Sequence, residues 1–253
     1  MQSGGTRRAT VAMAALGSLL TMTTLSACGS AHSGHPGGAE GRPGAQATHP
    51  RPAVTTSAPD PTRIPDVGDR LQRAIPTDTS QVLTVYGNGK NSPDSTAVLF
   101  TKNGNTWARA ASWPAHNGKL GWTTDHHLDD KRSPVGVFTL TAAGGVLDDP
   151  GAALPYSQDE SYEAPRDWDE SHWHDFDYVI AIDYNRVPGT PPDDAEQPMG
   201  EDKGGGIWLH LDHGSGTSAC VSLSKEAMEY LLRTLDPDRH PVVLMGDRAD
   251  LKG

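Results

Sequence analysis

Residues 207–221 read Ile-Trp-Leu-His-Leu-Asp-His-Gly-Ser-Gly-Thr-Ser-Ala-Cys-Val. The first five alternate, so as a strand they put Ile207, Leu209 and Leu211 on one face and Trp208 and His210 on the other. Gly214, Ser215, Gly216, Thr217, Ser218 and Ala219 then form a flexible loop that re-enters regular structure at Cys220 and Val221. Backbone N–H groups at such a loop can converge on a reacting carbonyl oxygen. Ser224 is placed to cap a helix, because Met228, Leu231, Leu232 and Leu235 recur at helical spacing before Asp236-Pro237 ends it.

Upstream, residues 81–86, 96–101, 106–112, 136–141 and 178–183 are short apolar or alternating segments, as are 207–211 and 242–245 downstream. Gly87-Asn88-Gly89 and Asn103-Gly104-Asn105 separate the early ones, and the second is a good hairpin turn because Gly and Asn tolerate positive φ. The expected fold is mainly β with one helix packed on the sheet. Residues 142–176 show no sustained period, which in a compact domain implies a functional loop or an insertion. Its acidic residues Asp148, Asp149, Asp159, Glu160, Glu163, Asp167, Asp169 and Glu170 read as a solvated face. The alternative is a lid carrying Trp168 and Trp173 that recognises a cationic amine.

The first quarter of the chain differs in composition. Arg7 and Arg8 precede an uncharged, mostly apolar run from 11 to 25 and then Leu25-Ser26-Ala27-Cys28. The run is shorter than the roughly 20 residues a spanning helix needs, so it reads as a cleaved export signal over 1–27. Leu-Ser-Ala-Cys resembles the lipobox of bacterial lipoproteins, which implies lipidation of Cys28 and an anchor at the outer face of the cell membrane. The paired arginines also fit a twin-arginine export route. Residues 28–62 hold almost no large apolar side chain and read as a flexible tether, leaving 63–253 as one folded domain. The net charge of −11 opposes binding of phosphate backbones, so nucleic acid is not expected as a partner.

The chain has two cysteines. With Cys28 assigned to lipid, Cys220 has no disulfide partner in an oxidising compartment. Read alone, it is either an inert buried hydrophobe or a nucleophile. A nucleophilic thiol needs a base, for which His210 on its strand and His213 in the loop both qualify. His126-His127 and the run Ser171-His172-Trp173-His174-Asp175 could hold zinc or copper, but no accompanying ligand pattern supports a metal.

Ser133-Pro134-Val135-Gly136-Val137-Phe138 resembles the T-P-x-G-x-F element of YkuD-type L,D-transpeptidases. His210, followed by Ser218-Ala219-Cys220-Val221, resembles that family's histidine and S/T-H-G-C segments in the same order. Further similarity lies in Ile75-Pro76, Gln81-Val82 and residues 178–185, so the match spans roughly 64 to 247. The resemblance implies a mainly β sandwich or barrel that acts on peptidoglycan stem peptides without a cofactor. Cys220 would attack the diamino-acid carbonyl of a tetrapeptide, expel the terminal D-alanine and pass the acyl group to an amine, with His210 as general base. Ser218 would assist, and Gly216, Thr217, Ala219 and His213 would form the oxyanion and substrate loop.

Four departures stand out. Ser218 replaces the motif histidine, Ala219 its glycine, and Ser222 occupies the usual Arg or Asn position, while the His210-to-Cys220 spacing is short. Serine cannot hold a proton at neutral pH, and alanine excludes glycine-only backbone angles. Two alternatives therefore stand beside cross-linking: an L,D-carboxypeptidase in which water resolves the acyl-enzyme, and a catalytically silent wall-binding module.

Overall fold

The computed structural model describes residues 60–253. The expected leader, Cys28 and all but the last three residues of the expected tether lie outside the described residues. Those last three turn into the domain, where Pro61 O accepts the N–H of Trp107 at 2.8 Å. No described helix is long and apolar enough to cross a membrane.

In chain order the elements are α1 (Asp69–Ala74), β1 (Gln81–Gly87), β2 (Asp94–Asn103), β3 (Thr106–His116), β4 (Trp122–Thr123), β5 (Ser133–Pro134) and β6 (Gly136–Thr139). They continue with β7 (Ala143–Gly145), β8 (Tyr156–Gln158), β9 (Val179–Ala181), β10 (Trp208–Leu211), β11 (Val221–Leu223), α2 (Lys225–Thr234), β12 (Val242–Asp247) and α3 (Arg248–Lys252). Ten strands form one sheet in the order β6-β12-β1-β2-β3-β11-β10-β9-β7-β8, and β4 pairs with β5 alone. β1 and β2 are long antiparallel neighbours, and β2 and β3 meet at Asn103 and Thr106. Gly104 takes φ 60° in that turn. Positive φ at the first loop residue alone is the hairpin geometry that glycine makes cheap.

One buried cluster joins Leu83, Leu99, Ala115, Ile180, Leu209, Val221, Leu223 and Val243 with Met228, Leu231 and Leu232 of α2. A sheet that feeds one core from β12 at one side to β9 at the other must curl round on itself. Ser224 Oγ accepts the N–H of Ala227 at 3.3 Å and starts α2. Each fully buried Leu or Met on its inner face contributes about 1.5–3 kcal/mol. A second cluster covers the opposite face of β1, β2 and β12, where Val82, Phe100 and Leu244 meet Ile64, Leu71 and Leu251. β1 and β12 are thus buried on both faces, as befits a parallel central pair.

The mainly β class matches expectation, as does the packing helix after Cys220, which is α2; α1 and α3 are two further short helices. Each is too short to show a helical period, and each buries one leucine, Leu71 and Leu251. β11 was also not expected as a strand, because three residues cannot display alternation.

Candidate active site

β10 and β11 lie parallel, with Leu209 opposite Val221 and His210 opposite Ser222. Parallel neighbours ordinarily need a crossover of a dozen or more residues. Here residues 212–220 make the return unaided, which explains the short spacing between His210 and Cys220. The register sets Cys220 beside Trp208, whose N–H points at Sγ at 3.4 Å, while Gly206 O stands 3.6 Å from the same sulfur.

The loop is held from below by carbonyls. Thr217 N–H donates to Asn117 O at 2.9 Å, and Thr217 O accepts from Lys119 N–H at 2.8 Å. Gly216 permits that approach, since a Cβ there would lie 2.7 Å from Lys119 Cα. The Thr217 hydroxyl donates to Cys220 O at 2.7 Å, and the Ser133 hydroxyl donates to Ala219 O at 2.6 Å while accepting from Gly118 N–H at 2.9 Å. Pinning these carbonyls leaves the N–H groups of Ser218 and Ala219 donating to no described residue. Ala219 avoids the left-handed region, so the loop needs no glycine there. Its side chain packs on the main core, which leaves its backbone to face the loop. Ser222 is fully buried and donates to Asp212 at 2.7 Å, with His116 holding the same oxygen at 2.7 Å.

A cavity of about 720 Å³ opens over this loop. Cys220, His210, His213, Ser218, Thr217 and Gly216 all line it, so the structure brings together every expected site residue in the described chain except Ala219. Its other wall comes from the long segment 142–176. Leu211 N–H donates to Asp175 O at 2.9 Å, tying that segment to the end of β10. Phe176 meets His210 and Trp208 edge-on at 5.4 and 5.3 Å. Trp168 lines the mouth, 45 % exposed. Trp173 does not line the cavity: its Nε1 donates to Trp168 O at 3.1 Å and Arg166 lies 5.2 Å over its ring, so a cation of the chain itself already takes that face.

His210 is 3 % exposed and its Nδ1 is 2.7 Å from Leu211 O. A carbonyl can only accept, so the ring proton sits on Nδ1 and Nε2 carries the lone pair. Burial pushes the His210 pKa down to about 4, against the opposing pull of Asp175. Burial likewise pushes the Cys220 thiol up to about 11, only partly offset by the Trp208 N–H. The residue keeps partial access where it lines the cavity. Both directions favour thiol and neutral imidazole at neutral pH over thiolate and imidazolium.

Asp175 is buried, with Oδ2 2.9 Å from His172 Nδ1 and 3.0 Å from His213 Nδ1. Its burial favours the neutral acid, yet His213 and His172 together hold it below the usual carboxylate range. Asp175 in turn raises His213, against burial. Asp175, His172 and Phe176 were not expected at the cysteine. The only signal was the run Ser171–Asp175, legible as a histidine cluster but not as a neighbour of Cys220. His126 and His127 form separate pairs with Asp130 at 3.0 Å and Asp125 at 3.2 Å.

A family model described as YkuD, the L,D-transpeptidase catalytic domain, matches residues 77–244. No curated protein matches the chain. Among solved structures, Bd1075 of Bdellovibrio bacteriovorus is 16 % identical with a TM-score of 0.38, the match covering 73 % of this chain and 52 % of that one. The helical cell shape determining protein Pgp2 from Campylobacter jejuni is 16 % identical with a TM-score of 0.40, covering 68 % and 49 %. The chain spans about half the length of each.

Proposed function

Because this chain belongs to the YkuD family of L,D-transpeptidase catalytic domains, we propose that it is a cysteine-dependent acyltransferase acting on peptidoglycan stem peptides. The observation that carries the reading is a single cavity holding both Cys220 and a histidine whose tautomer is fixed by Leu211 O. In this mechanism His210 Nε2 takes the thiol proton as Sγ bonds to the stem-peptide carbonyl carbon. The N–H groups of Ser218 and Ala219 receive the negative oxygen. Collapse breaks the C–N bond to the terminal D-alanine, and Nε2 returns the proton to the departing amine. An acceptor amine then attacks the thioester, loses a proton to Nε2 and releases the Cys220 thiolate, which Nε2 reprotonates.

If water replaces the amine the same groups make an L,D-carboxypeptidase. A thiol whose pKa burial pushes up favours a further reading, a wall-binding module that has lost its chemistry. Incubating the full chain with isolated disaccharide-tetrapeptides separates the three: cross-linked dimers mean transpeptidation, tripeptides alone mean trimming, and unchanged fragments mean a silent module. Export and a lipid anchor at Cys28, which would place the domain at the outer face of the membrane in the wall zone, are part of the same proposal. Their support is Leu25-Ser26-Ala27-Cys28. The expected result is a diacylglyceryl mass on the processed chain that Cys28→Ala removes; a wild-type chain without it contradicts the anchor.

A further inference from the structure

His172, Asp175 and His213 each direct one ligand atom into the cavity wall, and these atoms lie within 4.8 Å of one another. The separations from Asp175 Oδ2 are 2.9 Å to His172 Nδ1 and 3.0 Å to His213 Nδ1. Ligands bound to a first-row ion at about 2.1 Å, roughly 90–109° apart, stand about 3.0–3.4 Å from each other. Two edges of a coordination figure are thus already set. The third, from His172 to His213, is within 4.8 Å, and closing it requires the 33 % exposed His172 ring to turn about its contact with Asp175.

His213 supplies the independent observation. Its side chain is 5 % exposed, and neither ring nitrogen makes a hydrogen bond. Nδ1 comes close to Asp175, but not along the line an N–H···O bond requires. Leaving a buried polar group without a partner costs ~1–3 kcal/mol. An imidazole lone pair aimed beside a carboxylate oxygen rather than at it has the geometry of two ligands converging on a third atom.

We propose that His172, Asp175 and His213 bind one divalent first-row transition ion, zinc by donor preference, with its remaining coordination open to the cavity. Two imidazoles and one carboxylate suit zinc, and a three-ligand site with an open position is the form that binds exogenous groups. Cys220 and His210 are not among the ligands, so the site stands or falls independently of the acyl-transfer reading.

The test uses the full chain, stripped with chelator, equilibrated with zinc, separated from free ion and assayed for bound metal, with cobalt(II) absorption as a second readout and iron(II) as a competing ion. Wild type, Cys220→Ala, His172→Ala, Asp175→Asn and His213→Ala are compared, and His32, His35 and His49 are common to all five. Wild type and Cys220→Ala should each retain about one zinc per chain. The three ligand variants should lose affinity by more than the roughly 10–100-fold that loss of an outer-shell partner costs. Near-ultraviolet circular dichroism of the metal-free proteins checks folding, and the partly exposed His172 gives the variant least prone to unfold. Equal retention by wild type and His172→Ala overturns the proposal, as does loss of binding in Cys220→Ala or preference for iron over zinc.

Discussion

Two histidines stand 6.2 Å apart with rings nearly parallel, and their surroundings drive them in opposite directions. His210, on the β10 wall, touches a carbonyl and the Phe176 ring, and burial favours its neutral form with a free Nε2. His213, on the loop, lies against Asp175, and the carboxylate overcomes its burial to favour the charged ring. In one cavity, then, contact with a carboxylate decides which imidazole holds a proton more weakly and which, in the metal-free chain, more tightly. The β10 wall is suited to general-base work and the Asp175 wall to electrostatics or ligation.

The largest test of that contrast is kinetic. His210→Gln should slow acylation by a stem tetrapeptide by ~10²–10⁴-fold, the usual contribution of a positioned base. His213→Gln should cost far less, as read from the time course of acyl-enzyme mass. Equal losses would erase the distinction.

Next in size is the reactivity of the thiol itself. A thiol raised from 9 to about 11 carries ~100-fold less thiolate at neutral pH, so iodoacetamide should label Cys220 that much more slowly than a free cysteine. The rate should climb about tenfold per pH unit up to about pH 10. A plateau near neutrality would reveal a preformed thiolate–imidazolium pair.

Stability gives a smaller and sign-specific effect. The folded pKa of His210 lies near 4, below its unfolded value of 6.5, so the unfolded chain binds the extra proton first as pH falls. Between about pH 6.5 and 4 this should remove ~3 kcal/mol, measured by urea unfolding of wild type against His210→Gln. His213 acts the other way: its raised pKa contributes stability that is fully present below 6.5 and lost as pH rises through the folded value. Asp175→Asn should abolish that opposing contribution.

The smallest effect concerns the support of the β10 wall. Ser133→Ala should cost about 1–3 kcal/mol in urea unfolding, because Gly118 N–H and Ala219 O both lose their partner. Unchanged stability would mean that Ser133 does not hold the loop.

Much of this wall was legible in the sequence. Alternation at 207–211 set the faces of Leu209 and His210, and the Leu231 and Leu232 spacing located α2. Both depend on contacts within a few residues, which a local pattern records. The Asp175 wall was not legible in the same way. His172 and Asp175 reach the cysteine only because Leu211 N–H captures Asp175 O across some thirty-five residues of chain, and no periodicity encodes that bond. Ala219 likewise looked like a conformational problem until its backbone was seen to avoid positive φ. The short helices α1 and α3 each rest on one buried leucine, too little for a sequence signal.

The most direct test of the central claim is the intact mass of the full chain after incubation with a disaccharide-tetrapeptide, for wild type and Cys220→Ala in parallel. The account predicts an acyl adduct, with loss of D-alanine, on wild type and none on Cys220→Ala. A folded wild-type chain that takes up no acyl group, or an adduct that persists without Cys220, would contradict it.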